Sequence, residues 1–77
     1  MKNKGKIIQV SGPVVDVEFP DSKLPAIKDA LNVYVKNKKR VMEVSQHIGH
    51  SIVRCIMLDA SEGLHKDMEV IALGDKQ

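Results

Sequence analysis

Three histidines and one cysteine, His47, His50, Cys55 and His65, are the residues best suited to hold a transition metal. Zinc sites draw their ligands from short repeated spacings of thiolate and imidazole. One thiol and three irregularly spaced imidazoles match none of these patterns. The reading favoured here makes His50 and His65 loop residues and Cys55 a small apolar filler. A Cys–His nucleophile pair drawn from the same residues has no sequence context. Asp16 and Glu18, two apart, could act as an acid–base pair, but carboxylates interleaved with valines on a strand are read as surface groups. A phosphate cradle needs Gly-x-x-x-x-Gly-Lys-Ser/Thr. The only Gly-Lys pair, Gly5-Lys6, is followed by Ile7 and lacks the earlier glycine.

One basic run remains. Lys36, Lys38, Lys39 and Arg40 place four positive charges in five residues, which could meet phosphates. Small barrels that bind single strands add aromatic platforms for stacking. Here the aromatics are Phe19, on an apolar face, and Tyr34. A solvated hairpin tip that resists edge pairing is the simpler reading, and a stand-alone barrel binding nucleic acid through 36–40 is the alternative.

The elements that would position these residues have a period of two. Val15, Val17 and Phe19 alternate with Asp16 and Glu18; Leu31, Val33 and Val35 alternate with Asn32, Tyr34 and Lys36. Met42 and Val44 alternate with Glu43 and Ser45. In Ser51–Leu58 one face holds Val53, Cys55 and Met57, and the other holds Ile52, Ile56 and Leu58 around Arg54. That strand is apolar on both faces and needs two covers. With Lys6–Val10 and Met68–Leu73, the pattern predicts about six strands.

Turn residues separate the strands. Ser11-Gly12-Pro13, Pro20-Asp21-Ser22, Lys36-Asn37-Lys38-Lys39, Ile48-Gly49-His50 and Asp59-Ala60-Ser61-Glu62-Gly63 all read as turns or loops. Gly12, Pro13, Gly49 and Gly63 are their expected structural residues. Leu24–Leu31, with Pro25 early and Ile27 four before Leu31, has room for at most one helical turn.

Short strands with frequent turns favour an all-β fold. At 77 residues, one small closed barrel of antiparallel strands is expected, since closure removes exposed edges. Residues 1–77 form one domain in this reading, with 1–4 and 75–77 loose and Gly74–Gln77 resembling a cut end. A hydrophobic fraction of 43% with net charge +2 excludes a disordered chain. A single cysteine excludes a disulfide scaffold and suits a reducing compartment. The basic start is followed only by Ile7-Ile8, too short for a signal peptide or membrane span, so a soluble chain is expected.

Gly5-Lys6-Ile7-Ile8-Gln9-Val10-Ser11-Gly12-Pro13-Val14-Val15-Asp16-Val17-Glu18-Phe19 resembles the start of the beta subunit of the F-type ATP synthase. The resemblance continues through Leu24-Pro25-Ala26-Ile27, Asp29-Ala30-Leu31, Glu43-Val44, Gln46-His47-Ile48-Gly49, Val53-Arg54-Cys55-Ile56, Leu58-Asp59, Glu62-Gly63-Leu64 and Met68-Glu69-Val70. It implies a six-stranded N-terminal barrel that joins alternating alpha and beta subunits at the crown of a hexamer. That complex makes ATP using a transmembrane proton or sodium gradient, as a peripheral assembly on the cytoplasmic side of a bacterial membrane.

The resemblance further implies that ATP, ADP and magnesium bind in a following domain. No catalytic, cofactor or metal residue is expected within this chain, which then reads as an excised domain or truncated homologue. Its expected partners are alpha and beta subunits, with neither nucleic acid nor direct membrane insertion. Ile52, Arg54, Ile56 and Leu58 are the interface candidates. Three places depart from the family pattern: Lys66-Asp67 for Arg-Gly, Ala72-Leu73-Gly74 for Asp-Thr-Gly, and Met57 for a smaller residue. Aspartate tolerates left-handed backbone, so the turn at Asp67 is expected to survive.

Overall fold

The computed structural model describes residues 3–20, 23–59 and 62–76, and the side chains of these up to residue 72. Six strands follow one another: β1 (Asn3–Ser11), β2 (Val14–Glu18), β3 (Asp29–Val35), β4 (Lys38–His47), β5 (Ile52–Met57) and β6 (Glu69–Lys76). They close into a barrel in the order β1-β2-β5-β4-β3-β6, and every neighbouring pair is antiparallel. The expected all-β barrel of six strands is therefore the observed fold.

The period-two pattern fills the interior. Ile7, Val15, Val17, Phe19, Leu31, Val33, Met42, Val44, Val53, Cys55, Met57, Val70 and Ala72 form one buried cluster. A barrel this small has its lumen packed with side chains, leaving no channel. Leu24, Leu64 and Met68 pack against this cluster from the connecting segments, so those segments extend the core beyond the strands.

The tight turns have identifiable chemistry. Ser11 pairs with Val14, leaving Gly12-Pro13 as a two-residue turn. Gly12 has φ 59 and proline holds φ near about −65°, the sign pattern of a II′ hairpin. Between β3 and β4 the turn is Lys36-Asn37, with φ 51 and 68, the pattern of the I′ type. The expected four-residue loop is thus half as long. Lys38 and Lys39 already belong to β4, opposite Val35 and Tyr34, because the primed turn carries the strand twist straight through. Asp67 takes φ 76 and Gly63 φ 86, so the turn at Asp67 persists.

Four expectations need correction. First, the described residues contain no helix, so Leu24–Leu31 is not a helical turn. Asp29 Oδ2 accepts from Ala26 N at 3.0 Å, Asp29 N donates to Ala26 O at 3.0 Å, and Lys28 sits at φ 78. An aspartate that ties its own turn competes with helix formation, and strand alternation begins at Asp29 itself. Second, Gly49 is not among the positive-φ residues, so its turn does not depend on glycine.

Third, the expected loose ends reach too far inward. Asn3 and Lys4 pair with Ala72 and Ile71, and Lys76 pairs with Asp29. Met1, Lys2 and Gln77 lie outside the described residues, as do Asp21, Ser22, Ala60 and Ser61 of the expected turns. Fourth, Asp16 is buried rather than a surface carboxylate, and its reason lies on the outside of the barrel.

Candidate subunit interface

Because Val15 and Val17 point inward, Asp16 must point out. β2 pairs with β5 so that Asp16 lies opposite Arg54, Val14 opposite Ile56 and Glu18 opposite Ile52. Arg54 Nε donates to Asp16 Oδ1 at 3.0 Å, and Nη2 donates to Oδ2 at 3.2 Å. This two-pronged geometry suits a planar guanidinium on a carboxylate. The Asp16 side chain is 7% exposed and that of Arg54 42%, so the arginine lies over the aspartate as a lid. The hydrogen bond to Asp16 raises the Arg54 pKa above its ordinary value, and the aspartate's charge adds to the rise.

Two register irregularities frame this pair. β1 shifts between Ile7 and Gln9, and β4 shifts between Val44 and Gln46. Each extra residue turns the next side chain to the opposite face. Gln9 therefore stands opposite Asp16, and Gln46 opposite Arg54. The outer surface carries a polar row, Gln9–Asp16–Arg54–Gln46, across four strands.

Apolar groups flank the row. Ile52 is half-buried, while Ile56 and Leu58 are 36% and 61% exposed. Val14 and Val41 lie beside them: Val14 is opposite Ile56, and Leu58 N donates to Val41 O at 3.0 Å. Leu24 packs on the core cluster and Leu31 belongs to it, while Ile27 is half exposed. Ile52, Arg54 and Ile56 thus lie on the outer face of β5 with Leu58 just past its end, and Asp16 holds Arg54 between the isoleucines. Alternation in the sequence located these four residues; it did not reveal that Asp16 and Arg54 pair, because register across 38 positions is not local.

The remaining chemistry-bearing residues are scattered. Cys55 is fully buried in the core, and burial pushes its thiol pKa up to about 12, with the Asp16 charge adding to the rise. A thiol held protonated in this way is a poor nucleophile. His47 Nε2–H donates to the Pro25 carbonyl at 2.7 Å, tying the end of β4 to the segment that crosses from β2. His65 Nδ1 lies 2.9 Å from its neighbour's carbonyl, Lys66 O. Among the described residues, no three His, Cys, Asp or Glu side chains gather where a metal could bind. Tyr34 is exposed and Phe19 lies in the core, so the basic hairpin carries a single aromatic.

The ion pair Arg54–Asp16 stands on the outer wall of a six-stranded closed barrel. The model of the ATP synthase alpha/beta family, beta-barrel domain, matches residues 7–74, nearly the whole chain. The chain belongs to the ATP synthase alpha/beta family, in its beta-barrel domain. The stand-alone nucleic-acid-binding alternative gains no support from this match or from the aromatic placement.

Proposed function

We propose that the chain is the barrel of the beta, rather than the alpha, subunit, and that it holds an alpha/beta hexamer together through the outer face of β5. The beta assignment is supported by the resemblance of Gly5–Phe19 to the start of that subunit, and the blocks Leu24–Leu31 and Gln46–Gly49 point to the F type rather than the vacuolar type. The interface assignment is carried by one observation: Ile56 and Leu58 stand exposed beside an arginine already fixed by Asp16. Interface cores are apolar with arginine enriched among their anchors, and a pre-held guanidinium loses less freedom on docking.

The mechanism is mechanical. A ring of rigid barrels fixes one end of the hexamer while nucleotide domains change shape below it. ATP, ADP and magnesium are handled in those domains, as part of a peripheral complex driven by a proton or sodium gradient on the cytoplasmic side of a bacterial membrane. In this reading the barrel itself neither holds magnesium-ATP in the low-micromolar range nor hydrolyses it.

Co-expression with an alpha subunit of the same family tests the interface. Ile56→Asp with Leu58→Lys should abolish co-purification and hexamer incorporation, while the melting temperature of the isolated chain changes by only a few degrees. Unimpaired incorporation of the double variant would assign the contact to another face.

A further inference from the structure

Three cations converge on a cavity beside the β3–β4 hairpin, and none of them has a carboxylate partner among the described residues. The cavity, of about 350 Å³, is lined by Val35, Lys36, Lys38, Arg40, Glu62 and Gly63. Its size lies near the lower limit, about 300 Å³, of small-ligand sites. Register explains the convergence. Arg40 stands opposite Val33 and Lys38 opposite Val35, and both valines are buried. Directly opposed residues share a face, so Arg40 and Lys38 leave β4 on its inner side, at the end of the barrel.

The Arg40 Nε atom is buried and has no hydrogen-bond partner among the described residues. The only ion pairs among those residues are Arg54–Asp16 and Lys4–Glu69. Glu62 therefore lines the cavity without pairing to any of the three cations, and the site keeps a formal excess of positive charge. A buried charged donor without an acceptor is costly, and a guanidinium can never shed its charge to escape that cost. Water could supply an acceptor but not the compensating charge.

A second surface cavity gives a contrast. Lys4, Gly5, Lys6, Glu18, Pro20 and Glu69 line it, with two cations matched by two carboxylates and Lys4 already 3.9 Å from Glu69. That cavity is neutral by its own residues. The one beside the hairpin is not.

We propose that the cavity at the hairpin binds a phosphate-class oxyanion, with the Arg40 guanidinium as its directional donor and Lys36 and Lys38 as flanking charges. A tetrahedral oxyanion offers several acceptor oxygens and up to two negative charges, and arginine's rigid donor fork suits it. The two lysines are exposed, so their share is screened by salt, whereas the planar donor fork of the partly buried Arg40 supplies selectivity over chloride. The proposal is independent of the assembly reading, since it uses none of the residues on the outer face of β5.

Nuclear magnetic resonance on the isotopically labelled 77-residue chain tests it. Inorganic phosphate is titrated against sodium chloride of equal ionic strength, following the Arg40 Nε–H and the Lys38 and Gly63 amides. Saturable phosphate-specific shifts are expected, with half-saturation near about 1 mM. Arg40→Lys keeps the charge but loses the fork, and should weaken binding at least about tenfold. Lys38→Gln, at an exposed position that leaves the fold intact, should weaken it severalfold and flatten the salt dependence. A parallel titration with methyl phosphate separates an esterified phosphoryl ligand, which binds equally well, from free phosphate, which alone binds. Shifts reproduced by chloride would overturn the proposal. So would phosphate binding that neither substitution alters in a chain with an otherwise unchanged amide spectrum.

Discussion

Arg54 covers Asp16 asymmetrically: the carboxylate is almost entirely enclosed while the guanidinium keeps one edge in water. The pair joins β2 to β5 across 38 residues of sequence, on the outer wall, directly behind the core residues Val15, Val17, Val53 and Cys55. Removing one partner from such a pair is not equivalent to removing the other. Without Asp16, Arg54 keeps the edge it already has in water; without Arg54, the carboxylate loses both of the charged hydrogen bonds that it accepts.

Arg54→Ala should therefore destabilise the chain, since Asp16 loses both of its charged hydrogen bonds. Asp16→Ala should cost less, because the half-exposed guanidinium keeps water as a partner. Urea denaturation of both variants at neutral pH decides the matter. The opposite order would mean that water takes the place of Arg54 on the aspartate once the side chain is gone.

The strand alternation was legible because nearest-neighbour periodicity reports which face is buried. Val15, Val17, Leu31, Val33, Met42, Val44, Val53 and Cys55 all lie in the core that the pattern predicted. The enclosed Asp16 was not legible, since its cover comes from a strand far along the chain and from bulges that local pattern does not mark. The same limit applies to Arg40. It belongs to a basic run in the sequence, yet register sends it to the inner side of β4. Leu24–Leu31 misled because Pro25 and an i,i+4 apolar pair suit a helix, whereas Asp29 ties a turn and launches a strand.

Cys55 makes stability depend on alkaline pH. Its thiol pKa in the fold is pushed up to about 12, chiefly by burial, while an unfolded chain ionises near about 8.5. The folded state therefore retains a proton that the unfolded state loses. Stability from this source is complete below the unfolded pKa and falls as pH rises towards 12, by at most about 1.4 kcal/mol per pH unit. The informative quantity is the difference from Cys55→Val, a similar-sized apolar replacement. The denaturation midpoint of the Cys55 chain should fall relative to that of Cys55→Val as pH rises from 8 to 11. A constant gap would show that the thiol is not shielded.

Lys38 and Lys39 provide a control on the hairpin. Both are exposed strand residues, opposite Val35 and Tyr34, and neither forms an ion pair among the described residues. Replacing the two with glutamine should alter stability by less than about 0.5 kcal/mol. A thermal-melting shift corresponding to more than about 2 kcal/mol would reveal packing by their aliphatic stems.

The glycines supply a graded test of backbone and space. At Gly63 both constraints act: φ is 86 and an added Cβ would lie 2.6 Å from Val35 Cγ1. At Gly5 the constraint is space alone, since a Cβ would stand 2.8 Å from the Glu18 carbonyl oxygen and 2.9 Å from both Phe19 and Val17. The carbonyl belongs to the paired strand and cannot rotate away, so the β1–β2 ladder itself would have to open. Gly12 has φ 59 but open space around it, and Gly49 has neither constraint, its nearest atoms being on Ile52 at 3.7 Å. Alanine should accordingly cost about 2 kcal/mol or more at Gly63 and at Gly5, where overpacking or overpacking plus strain applies. At Gly12 left-handed strain alone predicts about 1 kcal/mol. At Gly49 the change should stay within about 0.5 kcal/mol, as at an unconstrained surface site. Chemical denaturation of the four single variants checks the series. If Gly49→Ala were as damaging as Gly63→Ala, the Ile48–His50 turn would need a glycine conformation that its backbone does not display. If Gly5→Ala were neutral, β1 would have to ride further from Phe19 than the barrel's closure permits.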